Sequence, residues 1–117
     1  MVEYTGRKLV LRDETLTCPA PVKDILELNG GDVIVLLNTT GKYDEFDDDT
    51  RCRNVWRVSP DGSIRWKIPK GEIIQGDYDS FSSIWEEDGA IWSYNGDGFA
   101  YRINLETGEL GETRQMK

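Results

Sequence analysis

Apolar and polar residues alternate along most of this chain with a period close to two, the pattern of strands whose side chains point to opposite faces. Leu9 and Leu11 flank an early strand, and Ile25 to Leu28 form another. Val33-Ile34-Val35-Leu36-Leu37 is an unbroken apolar run rich in β-branched residues, as in a strand covered on both faces. Trp56 and Val58 alternate with Arg57 and Ser59; Ile64, Trp66 and Ile68 alternate with Arg65 and Lys67. Phe81, Ser83 and Trp85 share a face, Trp92 and Tyr94 follow, and then Phe99, Tyr101, Ile103 and Leu105. Turn signals separate these runs: Asn29-Gly30-Gly31, Pro60-Asp61-Gly62, Asp88-Gly89, Asn95-Gly96-Asp97-Gly98 and Thr107-Gly108. No segment has the periodicity of an amphipathic helix; a turn after Pro19 and Pro21, near Ala20 to Asp24, is the nearest candidate.

The chain repeats itself. Gly31 to Asn38 resembles Asp88 to Asn95, and Trp56 to Ile64 resembles Tyr101 to Leu110, the first copy carrying an extra loop from Thr39 to Cys52. The pattern predicts a single all-β domain over residues 1–117: N-terminal strands over 1–22, a four-stranded unit over 23–67 and a second over 80–115. Each unit has an apolar face to bury. The expected architecture is therefore an antiparallel meander of about eight to ten strands, packed as a sandwich or bent sheet.

Asn54 to Lys67 resembles a blade of the pyrroloquinoline-quinone-dehydrogenase-like β-propellers: a strand runs into an Asp-x-x-Gly turn and returns with an aromatic residue. Gly98 to Leu110 has the same shape around Asn-Leu-Glu-Thr-Gly. The whole chain is also similar to a group of small, uncharacterised bacterial proteins that end in Tyr-Asn…Gly-Phe-x-Tyr-x-Ile-x-x-x-Thr-Gly. The resemblance covers about two-thirds of the chain and implies blade-like hairpins. Two units do not close a propeller, which takes about four or more blades, and no quinone-site residue carries over.

Composition narrows the chemistry. A chain of 117 residues with 38% hydrophobic, 31% charged and 10% aromatic residues reads as a globular domain. It has no His, which removes the usual general base, the commonest metal ligand and the imidazole pH switch. Serines therefore lack a partner for nucleophilic catalysis, and no Gly-x-Ser-x-Gly elbow or phosphate-cradling Gly-Lys-Ser/Thr loop occurs. A non-enzymatic protein without cofactor or metal is expected. Two cysteines, Cys18 and Cys52, read as free thiols. With no signal peptide and no apolar run long enough to span a membrane, the expected address is the cytoplasm.

Net charge is −8 and unevenly spread. Between Gly71 and Thr113 lie ten acids and one base, Arg102. Such a field repels nucleic acid and anionic membranes and attracts basic proteins. Two acidic segments are candidate partner-binding sites. The first, Tyr43-Asp44-Glu45-Phe46-Asp47-Asp48-Asp49, lies in the extra loop, its aromatics as anchors in an acidic rim. Its order lacks the alternate spacing and turn glycine of a calcium loop. The second comprises Asp77 and Asp79 with Glu86, Glu87 and Asp88.

The expected function is a small acidic protein-binding module, a monomer or simple dimer. Its most concrete form is an inhibitor or immunity protein for a basic toxin such as a nuclease. Solvated surface accounts for the same charge. Alternatives are a carbohydrate-binding or carbohydrate-active module, in which Trp66, Trp85 and Trp92 stack on sugars beside paired Asp residues, and a structural scaffold or nucleic-acid mimic.

Overall fold

The computed structural model describes residues 2–39, 45–69 and 80–116. They form eleven strands and one short helix: β1 (Glu3–Thr5), β2 (Lys8–Val10), β3 (Thr15–Thr17), β4 (Val22–Glu27), β5 (Val33–Leu37), α1 (Asp48–Cys52), β6 (Val55–Val58), β7 (Ile64–Lys67), β8 (Phe81–Glu87), β9 (Ala90–Asn95), β10 (Phe99–Ile103) and β11 (Leu110–Gln115). Every sheet is antiparallel and ordered as the sequence runs: β1-β2-β3, then β4-β5-β6-β7, then β8-β9-β10-β11. Among the described residues no sheet closes into a barrel or propeller.

The sheets stack in three layers, and β5 shows why. Val33, Val35 and Leu37 point to one side of the middle sheet and join Leu9, Leu11 and Ala20 beside the three-stranded sheet, with Trp56 and Val58 from β6. Ile34 and Leu36 point to the other side and pack with Phe81, Ile84, Ile91, Tyr101 and Ile103 of the last sheet. All five β5 residues are at most 1% exposed. The apolar run is thus continuous because both faces of that strand are interior.

Asn54 ties the middle sheet to the last. It is wholly buried; its amide nitrogen donates to the carbonyls of Leu37 and Phe81 at 2.8 and 2.7 Å, and its side-chain oxygen accepts from the Phe81 N–H at 3.0 Å. A Phe81–Tyr101 edge-on ring contact with centroids 6.1 Å apart continues the second core.

Three local expectations are corrected. Ile64 does not share a face with Trp66 and Ile68. The register shifts between Arg57 and Val58, so Trp66 faces Arg57 while Ile64 faces Val58 and stays 41% exposed. Phe81 likewise parts from Ser83 and Trp85 at a second irregularity; it lies in the core with Ile84, and Trp85 pairs with Trp92 on the outer face. The chain near Ala20 to Asp24 enters β4, whereas the helical turn is α1, inside the extra loop of the first copy. There Asp47 caps the helix by accepting from the Thr50 N–H at 2.9 Å, with Asp48 and Asp49 in the first turn and Arg51 in the last.

Neither cysteine is in a disulfide, and both are buried. Burial pushes the Cys18 thiol up from 9.0 to about 11, because a thiolate there would lose its hydration. Between those values the unfolded chain releases this proton and the folded chain keeps it. Stability is therefore expected to fall as pH rises from about 9 to 11, with no contribution from this group below that window. Denaturant midpoints across the window check this: Cys18→Ala should flatten that part of the slope, and an unchanged slope would contradict it.

Candidate functional site

Antiparallel meanders send every second turn to the same end. Here the turns at 11–14, 28–32, 59–63, 88–89 and 104–109 gather at one end of the three-layer stack. The Asp13 N–H donates to the Pro60 carbonyl at 3.1 Å, joining the first two sheets, and one cleft is lined by Asn29, Gly89 and Leu105 from the second and third. The opposite end holds the strand ends that border 38–54 and 68–80, joined by Asn54 and Phe81.

The acids divide unequally between these ends. Asp13, Glu14, Asp61, Asp88, Glu106 and Glu109 stand exposed in the first set of turns, with Glu27 and Glu86 at the strand ends leading into them. Arg12 is the exposed base among the turn residues, and the exposed Arg65 and Arg102 stand at the strand ends beside them. Local chemistry fixes these turns in place. Asp61 accepts from the Ser59 hydroxyl at 2.5 Å and from the Ser63 N–H at 2.9 Å, which holds its carboxyl down at about 2. Asp88 and Gly89 both have positive φ, the backbone of a two-residue hairpin turn. Gly108 lets the last turn lie against Trp66, where a Cβ would sit 2.6 Å from the ring; the indole N–H donates to the Leu105 carbonyl at 2.7 Å.

Behind the turns, between the middle and last sheets, opens a cleft of about 380 Å³. Leu26, Leu28, Ile91 and Leu105 form its apolar walls, and Arg57 and Glu86 also line it. The Arg57 guanidinium is already engaged, donating to Asp32 and to the Leu105 carbonyl, both at 2.8 Å, with a Glu106 carboxylate 3.8 Å away. Asp32, whose side chain is 8% exposed, also receives Arg65 at 2.8 Å. Glu86 pairs in register with Ile91, so it stands on the cleft side of β8. No described residue pairs with its carboxylate.

The sequence candidates fall at both ends. Tyr43, Asp44, Asp77 and Asp79 lie outside the described residues. Phe46 is half-buried against the first core, with the Arg7 guanidinium 5.9 Å from its ring centre. Asp47 caps α1, and that N–H bond holds its carboxyl below the usual range. Asp48 pairs with Arg51 at 2.9 Å; Asp49 pairs with Arg53 at 3.2 Å and Lys67 at 3.4 Å. These acids are largely matched by their own neighbours. Glu86, Glu87 and Asp88 lie at the other end, on the β8–β9 hairpin. Glu87 is held below the usual range by Arg114 at 3.2 Å and by the Trp85 indole N–H. The structure therefore does not bring the two acidic segments together in their described parts.

Asp13, Glu14, Glu27, Asp61, Glu106 and Glu109 also belong to the Glu86–Asp88 end and are not among the sequence candidates. The usable signal was turn parity, because acids in alternate turns of a meander share an end. Of the tryptophans, Trp66 and Trp92 are 8% and 4% exposed, Trp92 lying under Arg114 with the guanidinium 4.2 Å from its ring centre. Neither offers an open ring face. Among the described residues there is no group of three or more Cys, Asp or Glu placed to hold a metal ion, and no helix long and apolar enough to cross a membrane.

Comparison with known proteins yields one family. Residues 1–115 match the family described as a domain of unknown function, DUF7957, and the chain belongs to it. No curated protein and no solved structure matches.

Proposed function

We propose that this DUF7957 chain is a non-enzymatic protein-binding module whose turn end docks onto a basic partner. Its most concrete form is an inhibitor or immunity protein for a basic toxin such as a nuclease. The observation that carries this reading is the gathering of exposed carboxylates on four of those five turns, from all three sheets, while the acids around α1 are matched by Arg51, Arg53 and Lys67. A nuclease site must be cationic to hold phosphates. A rigid surface of carboxylates competes for the same groups and speeds encounter through long-range attraction.

The test is capture of a basic protein from the native host at low salt, followed by measured affinity. Reversing Asp61, Asp88 and Glu109 to Lys should weaken binding at least about tenfold, mostly through the association rate. Reversing Asp24, exposed on β4 near the other end, should change it little. Raising salt should weaken the wild-type complex. Recovery of no basic protein, or affinity indifferent to both salt and the triple reversal, would count against the reading.

A further inference from the structure

Resting on that reading, we propose that the cleft between the middle and last sheets is the anchor pocket of the docking end, and that it takes one lysine or arginine side chain of the basic partner. Its walls and its mouth ask for opposite things. Within a lining that is otherwise polar, with Glu27, Asn29 and Arg57 among its residues, Leu26, Leu28, Ile91 and Leu105 supply the apolar surface that suits a methylene stem. Glu86 stands on the cleft side of β8, exposed, and no described residue pairs with its carboxylate.

The cation already in the cleft does not meet that demand. Arg57 is committed to Asp32 and to the Leu105 carbonyl, with Glu106 beyond it. Glu86 is thus left to face whatever enters. An anionic occupant would meet Glu86, Glu106 and the acids of the neighbouring turns. A purely apolar one would strip water from Glu86 without replacing it, which is costly. A side chain with an aliphatic stem and a cationic head satisfies both surfaces at once. The cleft is also large enough to bury such a chain, and its walls are braced: Trp66 and Arg57 both fix the Leu105 carbonyl from the facing sheet. An anchor that enters a preformed site loses less on ordering than one that must shape its own.

The test uses the whole protein and small probes. Backbone amide spectra are titrated with N-acetyl-lysine-N-methylamide, its arginine counterpart, and the norleucine analogue, which keeps the stem and lacks the charge. Shifts centred on Leu28, Gly89, Ile91 and Leu105 are expected with the two cationic probes and not with norleucine. Glu86→Gln should weaken the response at least fivefold, and Leu28→Trp, which fills the cleft, should remove it. Glu112→Gln, on exposed β11, should leave it unchanged. Shifts spread over all acidic turns, equal binding of norleucine, or an unaltered response in Glu86→Gln would overturn the pocket. Such failure leaves the docking reading standing, because Asp61, Asp88 and Glu109 do not line the cleft and are tested separately by charge reversal.

Discussion

Asn54→Ala is expected to destabilise the fold by about 4 kcal/mol, more than any other single polar change at an interior position. Three backbone groups depend on this amide: the Leu37 carbonyl and both the N–H and carbonyl of Phe81. Each buried polar group left without a partner costs roughly 1–3 kcal/mol, and a small cavity adds to that. Partial relaxation keeps the total below the simple sum. Asn54→Asp tests the chemistry separately from the volume. It preserves shape but replaces two donating hydrogens with a second acceptor facing two carbonyl oxygens, so at neutral pH it should be at least as harmful as Ala. Urea unfolding midpoints measure both. If Asn54→Asp proves as stable as the wild type, the amide is not the tie between the sheets.

Asp32→Ala should cost about 2–3 kcal/mol, the next largest loss. Breaking a fully buried ion pair typically costs somewhat more, but Arg57 keeps its bond to Leu105 and its side chain remains 18% exposed. Arg65, at 57% exposure, adds little to the total. The distinguishing measurement is a double-mutant cycle. If the penalty comes from stranding Arg57, then Asp32→Ala combined with Arg57→Met should destabilise by less than the two single changes added together. Strict additivity would show that Asp32 acts through its own packing alone. Because Arg57 also holds the Leu105 carbonyl, the single mutant should loosen the cleft wall, visible as faster amide exchange in the 104–109 turn.

Much of this architecture can be read from the chain, and the reasons are specific. Val33 to Leu37 announces a doubly covered strand because no polar residue interrupts it, and β5 is that strand. The glycine-marked turns at Gly30-Gly31, Gly62, Gly89, Gly98 and Gly108 have the positive φ their positions require. What escapes is whatever depends on one extra residue. The irregularities beside Arg57 and Phe81 move Ile64 and Trp85 to faces that strict alternation denies them. The helix α1 is too short to show a period, and only its cap and end charges mark it: Asp47 before it, Arg51 in its last turn. The acidic end was half legible. The density of Asp and Glu is plain in the sequence, but their gathering follows from which turns lie together, and that from strand count. The cleft was not legible at all, since Leu26, Ile91 and Leu105 meet only through the spacing of two stacked sheets.

The central strand of the middle sheet, β5, belongs wholly to the interior, and that has a consequence for any shortened form of the molecule. The little ladder formed by β1, β2 and β3 serves as a lid: Leu9 and Leu11 close over Val33, Val35 and Trp56. Fragments beginning after Thr17 would bring that oily wall to the outside, beside strands whose hydrogen-bonding edges are already set. Such fragments will stick to one another before they meet anything else, so aggregation of a truncated chain reports a lost cover and says nothing about binding.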